Sequence, residues 1–338
     1  MKKLISVLLC IAMLFSSVCV AAAGFDKEEY NGYPVIVVPG YSSSGQYRID
    51  ENGNKIHVWG VDFEEIIAAL FKNIVEVGID LGSLATGDGK KLGRTVGREF
   101  AKLYYDMACN PDGSSVYPLQ RYCVTAEESN RAEMLKKYDG DLIYQHETEI
   151  MGEYAEYIGD ENIYNFNCDF RMGAPFCAKQ LDEFIQSVKE YSGKDKVNIF
   201  AVSHGGQVTG TYLTLYGEKG DVANAVMTVP ALGGAGLAYN ILADNIEFDE
   251  ETLFRFVEHG MMFETDFNWL VRAHELGFLD EVLNTITPYA RQIIGYWGSI
   301  WDFCPTEYYE ELKAKLLDPT ESAKLIEKSD YMHYSVMT

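Results

Sequence analysis

Basic residues are scarce in this chain: 28 lysines and arginines stand against 51 aspartates and glutamates, a formal net charge of −23 over 338 residues. Such a field repels phosphate backbones and anionic headgroups, which excludes nucleic acid and acidic lipid as electrostatic partners. After residue 24 no apolar run is long enough to cross a bilayer. Neither internal repeats nor low-complexity linkers divide the chain. Metal and nucleotide signatures are missing too. The cysteines and histidines have no zinc spacing. His146-Glu147 has Ile150 where HExxH needs its second histidine. No P-loop, strand-linked GxGxxG or aspartate-rich calcium loop occurs, so no metal and no cofactor is expected.

What is present begins with the N-terminus. Lys2 and Lys3 form a positive region, Leu4 to Phe15 an apolar one, and Ala21-Ala22-Ala23 a small-residue cleavage site. This is the pattern of a Sec-type secretory signal over residues 1–23, which makes the protein secreted or cell-surface. A lipid-anchored alternative at Cys19 is opposed by Val18, bulkier than the small residue such a site takes. Cys109, Cys123, Cys168, Cys177 and Cys304 remain after cleavage. Five is odd, so at least one is unpaired within the chain. Bridges Cys109–Cys123 and Cys168–Cys177 and a set of buried free thiols all stay open. The hydrophobic fraction of 47% is that of a globular protein with a real core.

Val35-Ile36-Val37-Val38, set between Pro34 and Pro39, reads as a strand buried on both faces. Gln46–Asp50 and Lys55–Trp59 flank Asn52-Gly53 as a hairpin. Helical spacing runs from Asp62 to about Met107, followed by a long loop over Asn110–Ser129. Tyr164, Phe166 and Cys168 alternate with Asn165 and Asn167 as a strand. A helical face of Leu181, Phe184, Ile185 and Val188 follows. Val197–Val202 is a second buried strand, Gln207–Tyr216 a helix and Val222–Val229 a third strand. Alternating strands and helices predict an α/β fold with a mostly parallel sheet. From Leu237 to Lys328 the pattern is helical without a convincing strand.

The sharpest motif lies between the second strand and its helix: Ala201-Val202-Ser203-His204-Gly205-Gly206. A serine that is to attack an ester needs a sharp, strained turn lifting its hydroxyl above the sheet. The residues two before and two after must then be small, and here they are Ala201 and Gly205. This is a nucleophile elbow with alanine in place of the first glycine. The competing reading is an ordinary serine N-cap ahead of a glycine-rich helix start. A nucleophilic Ser203 requires amides to hold the oxyanion. The backbone N–H of His204 is the first candidate, and that of Tyr41, in the loop Pro39-Gly40-Tyr41-Ser42 after the first strand, is the second.

At these residues the chain resembles the α/β-hydrolase lipases, in particular the lecithin–cholesterol acyltransferase family. The likeness rests on Pro34–Ser44, on Cys168-Asp169-Phe170-Arg171, on the elbow at Ser203 and on Val229-Pro230-Ala231-Leu232-Gly233-Gly234. It spans roughly residues 30–240, with Phe170 where the family has tryptophan. The resemblance implies an α/β-hydrolase core over 24–236 with a lid or cap inserted near 62–150, and a helical cap over 237–338. It implies a disulfide-bearing lid, which Cys109 and Cys123 would close. It also implies a lipid or phospholipid ester as substrate, with transient membrane-surface contact through the cap. The acyl group would pass to water or to an alcohol.

The acid and base are the missing half. After Ser203 come His204, whose imidazole would point away from the neighbouring hydroxyl, His259 and His274, which lie within amphipathic helical patterns, and His333, with no strand before it. Asp244, Asp266, Asp302 and Asp330 follow no β pattern either. The expectation is a chain cut short, with the last strands, the acid and the histidine beyond Thr338. The alternative is a complete chain in which Asp302 and His333 finish the triad. Met261-Met262-Phe263 would line an acyl pocket or simply fill core. A rival from another class is a non-catalytic surface module that binds lipid or glycan on the same scaffold.

Overall fold

The computed structural model describes residues 30–41, 43–59, 90–138, 145–243 and 292–337, with single helical positions at 281, 285 and 289. The signal segment, Ser42, the pattern at 62–89, His259, His274, Met261–Phe263, Asp244 and Asp266 lie outside them, as does the side chain of His146.

Among the described residues four strands form the central sheet: β1 (Val35–Val38), β5 (Ile163–Asn165), β6 (Val197–Val202) and β7 (Val222–Thr228), in the order β5-β1-β6-β7. Every pairing in it is parallel, with Val38 beside Ala201 and Val202 beside Thr228. The protein is therefore an α/β fold. In β1, Ile36, Val37 and Val38 are buried together, as a strand with parallel neighbours on both sides demands. A smaller antiparallel sheet joins β2 (Gln46–Ile49) to β3 (Lys55–Trp59) across the expected hairpin and to β4 (Gln120–Arg121).

The described α-helices are α1 (Lys90–Tyr104), α2 (Ala126–Ser129), α3 (Arg131–Tyr138), α4 (Gln145–Ile158), α5 (Ala174–Ser192), α6 (His204–Tyr216), α7 (Gly236–Ala243), α8 (Gly298–Asp302), α9 (Thr306–Leu316) and α10 (Ala323–Tyr331). A π turn over Met332–Val336 ends the described chain. The loop expected over 110–129 thus contains β4 and α2. The latter carries a capping box, in which Thr125 and Glu128 satisfy each other's amides.

Two details correct the linear reading. The alternation at 164–168 is not inside-out: Asn165 and Asn167 are as buried as Tyr164 and Phe166. Their amide nitrogens find distant partners, Asn167 donating to the Tyr122 carbonyl and Asn165 to the Met134 sulfur. The helical pattern, read as far as Lys328, runs on: α10 continues to Tyr331 and closes in the π turn over Met332–Val336. Trp297, Trp301, Tyr309, Leu325 and Met332 lie in the same buried cluster as β1, β6 and α5. The described part of the helical region is thus core material.

Candidate functional site

The site grows from β6. Val197, Ile199 and Ala201 point inward and are buried. The strand ends at Val202, and the chain must reverse into α6 within one residue. That residue is Ser203, at φ 52° and ψ −114°. A serine rarely adopts this conformation, which costs about 1–3 kcal/mol and persists only where its surroundings over-determine it. Here three hydrogen bonds do so. Ser203 N–H donates to the Thr228 carbonyl at 3.0 Å, and the Ser203 carbonyl accepts from Gly206 at 2.9 Å and Ala231 at 3.2 Å. Although Ser203 sits at the cap position of α6, its hydroxyl makes no capping hydrogen bond. That removes the ordinary N-cap role.

The small neighbours are demanded by contact. A Cβ on Gly205 would fall 2.0 Å from the Val38 carbonyl oxygen, and one on Gly206 2.5 Å from Pro230 Cβ. Ala201 is fully buried. A Cβ on Gly40 would lie 3.7 Å from Ser203 Cβ, so the loop after β1 runs directly beside the serine.

Tyr41 is fixed by its ring. Phe303 meets it edge-on at 5.0 Å, Phe170 at 5.2 Å and His204 at 5.4 Å. Its hydroxyl shares a 2.9 Å hydrogen bond with Ser299 Oγ. Ser299, Phe303 and Trp297 come from the C-terminal helical region, and no sequence signal linked them to this loop. Phe170, where the resemblance expected tryptophan, is buried against Tyr41, Trp59 and Trp297. Beside it Arg171 is wholly buried. Its Nε and Nη2 hold Asp169 at 2.9 and 2.7 Å, Nη1 donates to the Met107 carbonyl and Nη2 to Ser115 Oγ.

The described histidines do not serve Ser203. His204 begins α6, with its amide among the helix's unpaired N-terminal donors. Its imidazole is buried without a partner on Nε2, and burial pushes its pKa down to about 3. It is neutral and a very weak base. His333 stacks on Tyr309 with ring centroids 3.8 Å apart. Its Nε2 lies 3.0 Å from the Trp301 carbonyl and Nδ1 3.0 Å from Thr306 Oγ1, and burial lowers its pKa. The Asp302 carboxylate accepts from the Ala174 amide at 2.7 Å, at the start of α5. Asp302 and His333 therefore hold other groups and do not pair as a triad. His57 stacks on Tyr122 in the hairpin sheet.

All five described cysteines are free and buried, which corrects the lid disulfide that the resemblance implied: Cys109 lies in the main core and Cys123 in a separate cluster with Met134. Among the described residues no group of His, Cys, Asp or Glu is arranged to hold a metal ion, and no helix is long and apolar enough to cross a membrane.

No protein-family model and no curated protein matches this chain. Among solved structures, the chain is similar to one described as "The crystal structure of Tle4-Tli4 complex", with 15% identity over 62% of this chain and a TM-score of 0.29. It spans about half, 48%, of the length of that chain. At that TM-score the likeness carries no argument.

Proposed function

We propose that this protein is an exported serine hydrolase on an α/β-hydrolase scaffold, related to the lecithin–cholesterol acyltransferase family and acting on carboxylic esters of lipids. The observation that carries the reading is the strained Ser203, held at φ 52° between β6 and α6 with its hydroxyl unused as a cap. Ser203 Oγ attacks the ester carbonyl, and the amides of His204 and Tyr41 receive the oxyanion. The dipole of α6 adds to that stabilisation. The alkoxide leaves with a proton, and the acyl group then passes to water or to an alcohol.

A serine needs a base, and among the described residues His204, His333 and His57 are otherwise placed, while His259, His274 and the side chain of His146 lie outside them. In this reading the acid and histidine come from outside the described residues. Among the described residues β7 is an edge strand, and its Val226 is 56% exposed.

The test is a fluorophosphonate applied to the secreted protein, with intact mass and peptide mapping. One adduct on Ser203, lost in Ser203→Ala, is expected. An adduct at the mass of 24–338 would place the base within this chain. No adduct at all would defeat the hydrolase reading and favour the binding module.

A further inference from the structure

Among the described residues three non-glycines have positive φ: Cys123, Ser203 and Val229. Two of them follow adjacent strands. Ser203 follows β6 and Val229 follows β7, and the hydrogen bonds from Ser203 to Thr228 and from Ala231 to Ser203 bracket Val229 on either side. The two strained residues are thus built into one structure.

Val229 is the odder of the pair. At φ 44° its branched Cβ crowds its own backbone, a conformation that β-branched residues almost never adopt. Glycine would take it without strain. Pro230 follows and steers Val229 away from the ordinary helical well. Nor does packing offset the strain, because Val229 is 57% exposed. A valine held in strain and left open to solvent gains nothing visible from its own fold. What the isopropyl group gains must then come from a bound molecule. Its place fits: the carboxyl ends of parallel strands are where open α/β sheets bind ligands. Its chemistry fits hydrocarbon.

We infer that Val229 is a specificity-determining residue, whose isopropyl group meets the acyl chain of an ester held at Ser203. The inference rests on the hydrolase reading proposed above. Because the side chain offers only apolar contact, it favours longer acyl chains over short ones.

The test uses the protein expressed from its complete reading frame and two phosphonofluoridates, one carrying P-methyl and the other P-octyl. Ser203 Oγ bonds to phosphorus, fluoride leaves with the P–F electron pair, and the hydroxyl proton passes to the base. The readout is the ratio of octyl to methyl inactivation rates, with the melting temperature taken alongside. Val229→Ala removes the isopropyl contact and keeps a Cβ, whereas Val229→Gly also relieves the strain. Both variants should lower the ratio about tenfold, and Val229→Gly should melt no lower than the wild type. An unchanged ratio in both variants, with the wild type labelled on Ser203, overturns this proposal alone. An unchanged ratio with a lowered melting temperature assigns the side chain to internal packing and overturns it equally. A wild type that neither reagent labels defeats the hydrolase reading, and this inference with it.

Discussion

His204 and Asp302 are both fully buried, and they pull stability in opposite directions as pH changes. Burial lowers His204 to about 3, so the folded state binds fewer protons than the unfolded one between there and the ordinary histidine value. Its contribution is present above that value and is lost as pH falls. Asp302 is raised to about 7 by burial, against the opposing pull of the Ala174 amide. Its contribution is present at low pH and is lost as pH rises through 7. Between about pH 4 and 6.5 the two slopes cancel. Replacing Asp302 by Asn should expose the His204 slope. The unfolding free energy of the variant relative to wild type should rise by on the order of 1 kcal/mol per pH unit across that range, measured by urea titration. A flat difference would mean Asp302 is ionised in the fold. At Gly205 the expectation is steric. Gly205→Ala puts a Cβ 2.0 Å from the Val38 carbonyl, so backbone must move. A loss of about 3 kcal/mol is expected, together with loss of fluorophosphonate labelling.

At the scale of elements, α5 illustrates how the site is braced. Gly173 enters it at φ 89°, the Asp302 carboxylate takes the Ala174 amide, and Gly193 ends it at φ 68° in a left-handed cap. Just upstream, Arg171 ties Asp169 to the loop carrying Met107 and Ser115. Arg171→Lys keeps the charge but cannot reproduce a planar fork reaching four acceptor atoms. It should lower stability by about 3 kcal/mol, read as a shift in urea midpoint, and slow fluorophosphonate labelling because Phe170 packs on Tyr41. Full stability in that variant would show that the buried fork is dispensable. Thr125→Ala, by contrast, removes one cap from a short, half-buried helix, and about 1 kcal/mol is expected by the same titration.

At the scale of the whole molecule, the five described cysteines offer a direct check of packing. All are buried, and burial pushes the Cys109 and Cys304 thiols up to about 12. Thiolate is the reactive species, so a thiol reagent followed by peptide mapping should label almost none of them in the native protein and all five once urea unfolds it. A native protein that stays short of five after unfolding would instead carry a disulfide.

How much of this was legible in the chain depends on how far apart the cooperating residues stand. The β-branched runs of β1 and β6, the hairpin turn and the small residues around Ser203 act through sterics within a few residues, and the sequence by itself determined them. The capping box at Thr125 was equally local, though it lay inside a stretch read as loop. The tertiary structure alone decided the rest. Tyr41 meets Ser299, 258 positions away, and Ala174 meets Asp302, 128 away. Both ring nitrogens of His333 are taken by Trp301 and Thr306, so a histidine that looked like a spare base became core. Sequence spacing says nothing of such pairings, because they depend on the path of the folded chain and on which groups burial leaves in need of partners.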